Sequence, residues 1–319
     1  MTEFGLILFL NSVSHGFELK NYKTMKDKFR EIRLSKANKV KLDLINSIIQ
    51  EYAVEKYTMT LRQLYYQLVS RDVIPNKQNE YAKISKLLKE GRMAGVVDWD
   101  AIEDRLRTPY RPYWVQDIKH AIDDTVWQYR LDRQKEQDVY IEVWVEKDAL
   151  SNVLKRVTEE YHVYLMVNRG YGSITAIHDA FIRFKKQMDK GKEVVLLYLG
   201  DHDPSGMDMI RDIRERIIEM LEVKGYYDLF KVKPIALTME QIKLYNPPKN
   251  PAKMTDPRAK WYIEKYGYSS WEVDALDPKT LNKLVSESIE SEIDLELFEK
   301  MKQQEELDKQ KLQDIADKL

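Results

Sequence analysis

Val139-Tyr140-Ile141-Glu142-Val143-Trp144-Val145 runs into Glu146-Lys147-Asp148-Ala149, and Glu193-Val194-Val195-Leu196-Leu197-Tyr198-Leu199-Gly200 runs into Asp201-His202-Asp203-Pro204-Ser205-Gly206. Each stretch is an apolar, strand-like run that ends in acidic residues. Between and beyond them the pattern alternates: strand 139–146, helix 149–160, strand 162–167, helix 173–189, strand 193–199, helix 205–223 and strand 230–237. That order predicts an α/β fold with a mainly parallel sheet covered by helices. Such sheets bind ligands at the carboxyl ends of their strands. Both acidic motifs sit at carboxyl ends, about 55 residues apart, so Glu146, Asp201 and Asp203 are expected at one sheet edge. Three carboxylates there suit Mg²⁺, with Mn²⁺ as a substitute, and magnesium beside phosphate points to phosphodiester chemistry.

Asp201 and Asp203 lie two apart, which on an extended segment puts both on one side. Pro204 stops the strand and Gly206 permits a turn into a helix. Taken alone, the pair equally reads as turn and cap residues after a buried strand. His202 between them should point the opposite way, in a structural role. No Cys/His spacing suggests zinc.

Upstream, residues 25–57 read as one or two helices, and Thr60 caps the next, with Gln63 as capping-box partner. On that helix Leu61, Leu64, Tyr65 and Leu68 form the core stripe. Tyr66 falls roughly 100° from Tyr65, off the stripe and expected to be exposed, with Arg62 four residues earlier on the same face. A phenol can attack a phosphodiester and a guanidinium can grip the phosphate; a plain surface tyrosine is the alternative. A further helix, about 79–94, turns Ile84, Leu87 and Leu88 inward and leaves Lys83 and Lys86 outside, with Lys89 and Arg92 nearby. Short helices followed by an extended piece at 96–99 suggest a winged-helix module. A solvated amphipathic helix explains the lysines equally well.

Composition sets the bounds. At 319 residues the chain can form two domains. The formal net charge is −1, so any DNA binding must come from local patches, such as the nine Lys/Arg residues of Lys20–Lys41. The chain has no cysteine, which excludes disulfides and a thiolate nucleophile and fits a reducing cytoplasm. Phe4–Leu10 is too short to span a membrane and lacks signal-peptide flanks. Met1–Thr24 is expected to be a poorly fixed appendage, or Met25 the true start. The Pro/Asn/Lys-rich 244–256 is expected to be a loop, and 278–319 helical and charged.

In order along the chain, four segments resemble motifs of the A subunit of type IIB topoisomerases (topoisomerase VI) and of the related meiotic double-strand-break transesterase. They are Arg62-Gln63-Leu64-Tyr65-Tyr66, Val145-Glu146-Lys147-Asp148-Ala149, Gly170-Tyr171-Gly172 and Gly200-Asp201-His202-Asp203-Pro204-Ser205-Gly206. Gln63 departs from the family's usual acid and Gly172 from its proline. The resemblance spans roughly residues 40–240, and the short form resembles the stand-alone "Mini-A" versions.

The resemblance implies a winged-helix, CAP-like domain at 40–115, a linker at 116–138 and a Toprim domain, Rossmann-like, at 139–283. An N-terminal extension, 1–39, and a charged C-terminal helix, 284–319, flank them. It further implies Tyr66 as nucleophile forming a 5′-phosphotyrosine link, Arg62 supporting the phosphate, and Glu146, Asp201 and Asp203 holding Mg²⁺, with Glu146 also catalytic. Lys83, Lys86, Arg92 and Lys147 are the expected DNA contacts. The partners implied are double-stranded DNA, a second copy whose metal works with this copy's Tyr66, and a separate ATPase subunit, since the sequence carries no P-loop; the location implied is cytoplasmic and nucleoid-associated. Two readings compete: a Toprim nuclease that uses water, and a non-catalytic DNA-binding subunit.

Overall fold

The computed structural model describes residues 26–55, 57–103, 112–223 and 225–318. The N-terminal appendage, Met1–Thr24, and most of the helical turn expected at 101–107 lie outside them. Four parallel strands, β1 (Val139–Val145), β2 (Tyr164–Val167), β3 (Glu193–Leu199) and β4 (Phe230–Ala236), form a sheet in the order β2-β1-β3-β4. The central strands β1 and β3 are buried on both faces, which explains their continuous apolar runs.

Strand alternation divides the core in two. Ile141, Val143, Val145, Val195, Leu197 and Leu199 pack against α5 (Ser151–Tyr161) and α10 (Pro278–Glu290). Tyr140, Trp144, Val194, Leu196 and Tyr198 pack against α6 (Ile174–Met188) and α7 (Pro204–Glu222). Glu142 is fully buried in β1. Its carboxylate is satisfied by a two-pronged contact from Arg183 at 2.7 and 2.9 Å, the Tyr140 hydroxyl at 2.8 Å and the Trp144 indole at 2.9 Å. A buried charge persists when it is paired and bonded in this way.

Before the sheet stand α1 (Lys36–Val54), α2 (Leu61–Ser70) and α3 (Gln78–Met93), with Leu42, Ile45, Ile48, Leu64, Leu68, Ile84, Leu87 and Leu88 as their shared core. The Thr60–Gln63 capping box forms, with Gln63 N donating to Thr60 Oγ1 at 3.2 Å and Thr60 N to Gln63 Oε1 at 2.8 Å. A Cβ on Gly91 would lie 2.8 Å from Leu42 Cδ2 and 2.9 Å from Val97 Cγ2, so the glycine lets α3 close on α1. Residues 96–99 are a loop, not the expected short strand, and no wing hairpin forms among the described residues.

The segment expected to be a linker contains α4 (Ile118–Gln128), which packs on α11 (Leu295–Ala316). The sequence hides this helix because the charged run at 130–138 reads as the boundary, and the helix's packing partner comes from the far end of the chain. Buried Glu305 of α11 accepts from Leu131 N at 3.0 Å, Arg133 at 3.1 Å and Lys309 at 2.8 Å. The expected loop at 244–256 holds the end of α8 (Met239–Tyr245) and β5 (Asn250–Pro251), which pairs antiparallel with β6 (Ser269–Ser270) across the intervening helix α9 (Ala259–Tyr266). No helix among the described residues is long and apolar enough to cross a membrane.

Candidate active site at the carboxyl edge of the sheet

Glu146 follows β1 directly, still held in the ladder by its N–H on Leu199 O at 2.9 Å. Its Oε2 accepts from Asp201 N at 3.0 Å. Gly200 makes that approach possible, because a Cβ there would lie 2.6 Å from Tyr198 Cε1 and 3.2 Å from Glu146 Oε2. Asp203 caps α7, accepting from Gly206 N at 2.7 Å and Ser205 Oγ at 3.1 Å. A Cβ on Gly206 would sit 2.3 Å from Asp201 O, so only glycine fits this turn. His202 points away from the acids into a buried aromatic cage, its Nδ1 2.8 Å from the Tyr262 hydroxyl and its ring against Tyr266 and Trp271.

A second acidic segment completes the edge. Trp271 pairs through its backbone with His202, which brings Glu272 and Asp274 across from Asp201. Val273 N donates to Asp201 Oδ1 at 2.9 Å. Lys147 Nζ lies among three carboxylates: Asp201 at 2.9 Å, Glu272 at 2.5 Å and Asp274 at 2.8 Å. Arg62 of α2 pairs with Glu272, and with Asp274 at 3.1 Å. The guanidinium also stands over the Tyr66 ring, 5.7 Å from its centroid. The Glu272 carboxylate lies close enough to the Tyr66 phenol to bear on its ionisation. A continuous chain of ion pairs thus runs from the α2 helix to the carboxyl end of β3 within one protomer.

Electrostatics reflect this crowding. Burial, with Glu146 and Asp274 nearby, raises the Asp201 carboxyl against the pull of Lys147. Burial likewise raises Glu146, and Asp203 and Asp274 add to the effect. Burial opposes ionisation of Glu272 too, but there Lys147, Arg62 and the Tyr66 hydroxyl win and hold it at about 2. Burial and the Glu272 charge push the Tyr66 phenol above its ordinary value. Lys147 stays charged because Asp274, Asp201 and Glu272 outweigh its burial.

These contacts correct three expectations. Tyr66 is 5% exposed, not a surface residue. The side of α2 that lies off its own stripe is covered by residues 273–275, and Ala275 joins the helical core. Lys147, expected at a DNA surface, is half-buried as the counter-ion of three acids. Arg92, expected to face DNA, turns inward, stacks over Trp99 at 5.3 Å and donates to Ile102 O at 2.7 Å. Lys83 and Lys86 are exposed as expected, Lys83 pairing with Glu80 at 2.6 Å.

Glu272 and Asp274 are the site residues that the sequence reading missed. Their signal is the run Trp271-Glu272-Val273-Asp274, where acids alternate with buried apolar residues at the spacing of Asp201 and Asp203. Beside the ion-pair chain, a cleft of roughly 530 Å³ opens between α2, α3 and the residues after β1, lined by Arg62, Lys89, Arg92 and Asp148 among others.

The donor set at the edge is all oxygen and suits a hard cation. Among the described residues no three acidic or histidine side chains are gathered closely enough to chelate an ion as they stand. Both Asp201 oxygens are engaged, one by Val273 N and one by Lys147, so a divalent ion at Glu146, Asp201 and Asp203 requires Lys147 to yield Asp201. No family model, no curated protein and no solved structure matches this chain.

Proposed function

We propose that this chain breaks DNA by Mg²⁺-dependent tyrosine transesterification at the carboxyl edge of its sheet. The observation that carries the reading is the ion-pair chain Arg62–Glu272/Asp274–Lys147–Asp201, which joins the tyrosine helix to the carboxylates. In this reading the Tyr66 phenolic oxygen bonds to the 5′ phosphorus as the bond from phosphorus to the 3′ oxygen breaks; the phenolic proton passes to Glu272, and the departing 3′ oxygen takes a proton from water to become a hydroxyl. Arg62, drawn to the phosphate, leaves Glu272, whose basicity rises as that positive charge departs. A divalent ion held by Glu146, Asp201 and Asp203 supplies positive charge against the phosphate oxygens. In the same reading the exposed Lys83 and Lys86 meet the duplex backbone. The DNA partner, a second copy of the chain and a separate ATPase subunit belong to the same proposal. Because the tyrosine and the carboxylates meet here in cis, a working site in trans requires the Arg62–Glu272 contact to open.

The test uses end-labelled DNA with Mg²⁺ or Mn²⁺, comparing wild type with Tyr66→Phe after denaturation. Protein attached to 5′ ends in wild type and absent from the variant is the expected result. Protein-free ends from both would make the chain a hydrolase that needs Glu146, Asp201 and Asp203 alone. The burial of Tyr66, with its phenol held protonated, is the observation that favours this second reading.

A further inference from the structure

Residues 243–268 carry six Lys/Arg against two acids, Asp256 and Glu264, in a chain whose net charge is −1. They leave the sheet after β4 and return to it at Trp271, which pairs with His202. The segment is firmly seated: the Tyr262 hydroxyl donates to His202 O at 2.7 Å and lies 3.1 Å from Ser269 O, and Asn76 of the helical module donates to Lys249 O at 3.1 Å. Its α9 helix buries Ala259 and Tyr262 and turns Lys260, Trp261 and Lys265 outward. Trp261 is 50% exposed and Tyr268 71% exposed. Lys265 Nζ lies 5.6 Å from the Trp261 centroid and 5.2 Å from that of Tyr266.

Isolated exposed aromatics are ordinary. Here they stand amid a local excess of positive charge, on the segment whose Tyr262 and Tyr266 cage His202 between the two candidate metal ligands. Basic groups that follow a phosphate backbone, interleaved with open aromatic faces, are the surface that single strands select. A duplex keeps its base faces stacked internally and offers such rings nothing but its ends. We propose that Trp261 and Tyr268, with Lys253, Lys260 and Lys265 around them, form a stacking platform for unpaired bases of a DNA strand at the carboxylate edge. The platform rests on the functional reading for what the strand is delivered to, but its binding is separable from cleavage.

The test is fluorescence anisotropy in EDTA, where cleavage does not intrude, with a labelled oligothymidine of about 15 nucleotides and a hairpin duplex of equal length. Trp261→Ala and Tyr268→Ala are each expected to weaken oligothymidine binding by roughly fivefold or more, to leave duplex affinity unchanged, and Trp261→Phe to retain binding. Unchanged oligothymidine affinity in both alanine variants, or equal losses on single strand and duplex, would overturn the platform. A platform confirmed in a protein that never cleaves DNA removes the transesterase reading alone. A protein that cleaves with no platform effect removes this inference alone.

Discussion

Lys147 is the residue on which the site turns. It satisfies three acids that would otherwise stand unpaired in a buried setting, and removing one partner of such a network is costly. Lys147→Met is therefore expected to lower stability by about 3–5 kcal/mol, read as a shift of the urea midpoint at unchanged slope. Added Mg²⁺ should restore part of the loss, because the ion replaces the missing charge. A midpoint indistinguishable from wild type would show that the ammonium contributes nothing to the edge. Tyr66 teaches the same lesson at this scale: helical phase placed it outward, and contacts from outside its own helix buried it.

At the scale of elements, two contacts set the positions of the helices that matter. The Thr60 cap fixes the start of α2 two residues before Arg62, and Thr60→Ala is expected to cost about 1 kcal/mol and to raise amide exchange through the first turn of α2. The second contact is the α11 clasp at Glu305. Burial opposes its charge, but Lys309, Leu131 N and Arg133 more than compensate and hold its carboxyl below the ordinary range. A depressed folded-state value means the clasp is at full strength above the unfolded glutamate value, about 4.3, and weakens as pH falls through the folded one. Protection against amide exchange in α4 and α11, taken relative to the intrinsic rate at each pH, should therefore fall in acid, and Glu305→Gln should remove that dependence. Protection in wild type that stays level from neutral to pH about 3 would contradict it.

For the whole molecule, the helical module and the sheet are joined through a charged seam beside an open cleft. Ligand binding to the folded state alone raises the unfolding temperature with concentration. Thermal melting should rise with Mg²⁺ in wild type and stay level in Asp201→Asn. An equal rise in both proteins would place the ion elsewhere.

The order of strands and helices, the parallel sheet, and the positions of Glu146, Asp201 and Asp203 beyond the carboxyl ends of two neighbouring strands were legible in the sequence. Strand and helix periods are local, and a βαβ crossover fixes which strand ends face the same way. The turn at Gly200–Gly206 was legible for the same reason. The tertiary structure alone decided the surroundings of those residues. Arg62 meets Glu272 across 210 positions, and Trp271 pairs with His202 across an insertion that no period in the strand pattern announces. Burial of Tyr66, the role of Lys147 as internal counter-ion and the entry of Glu272 and Asp274 all follow from that closure. Charge and burial at a site are sums over every segment that packs there, whereas periodicity reports one segment at a time.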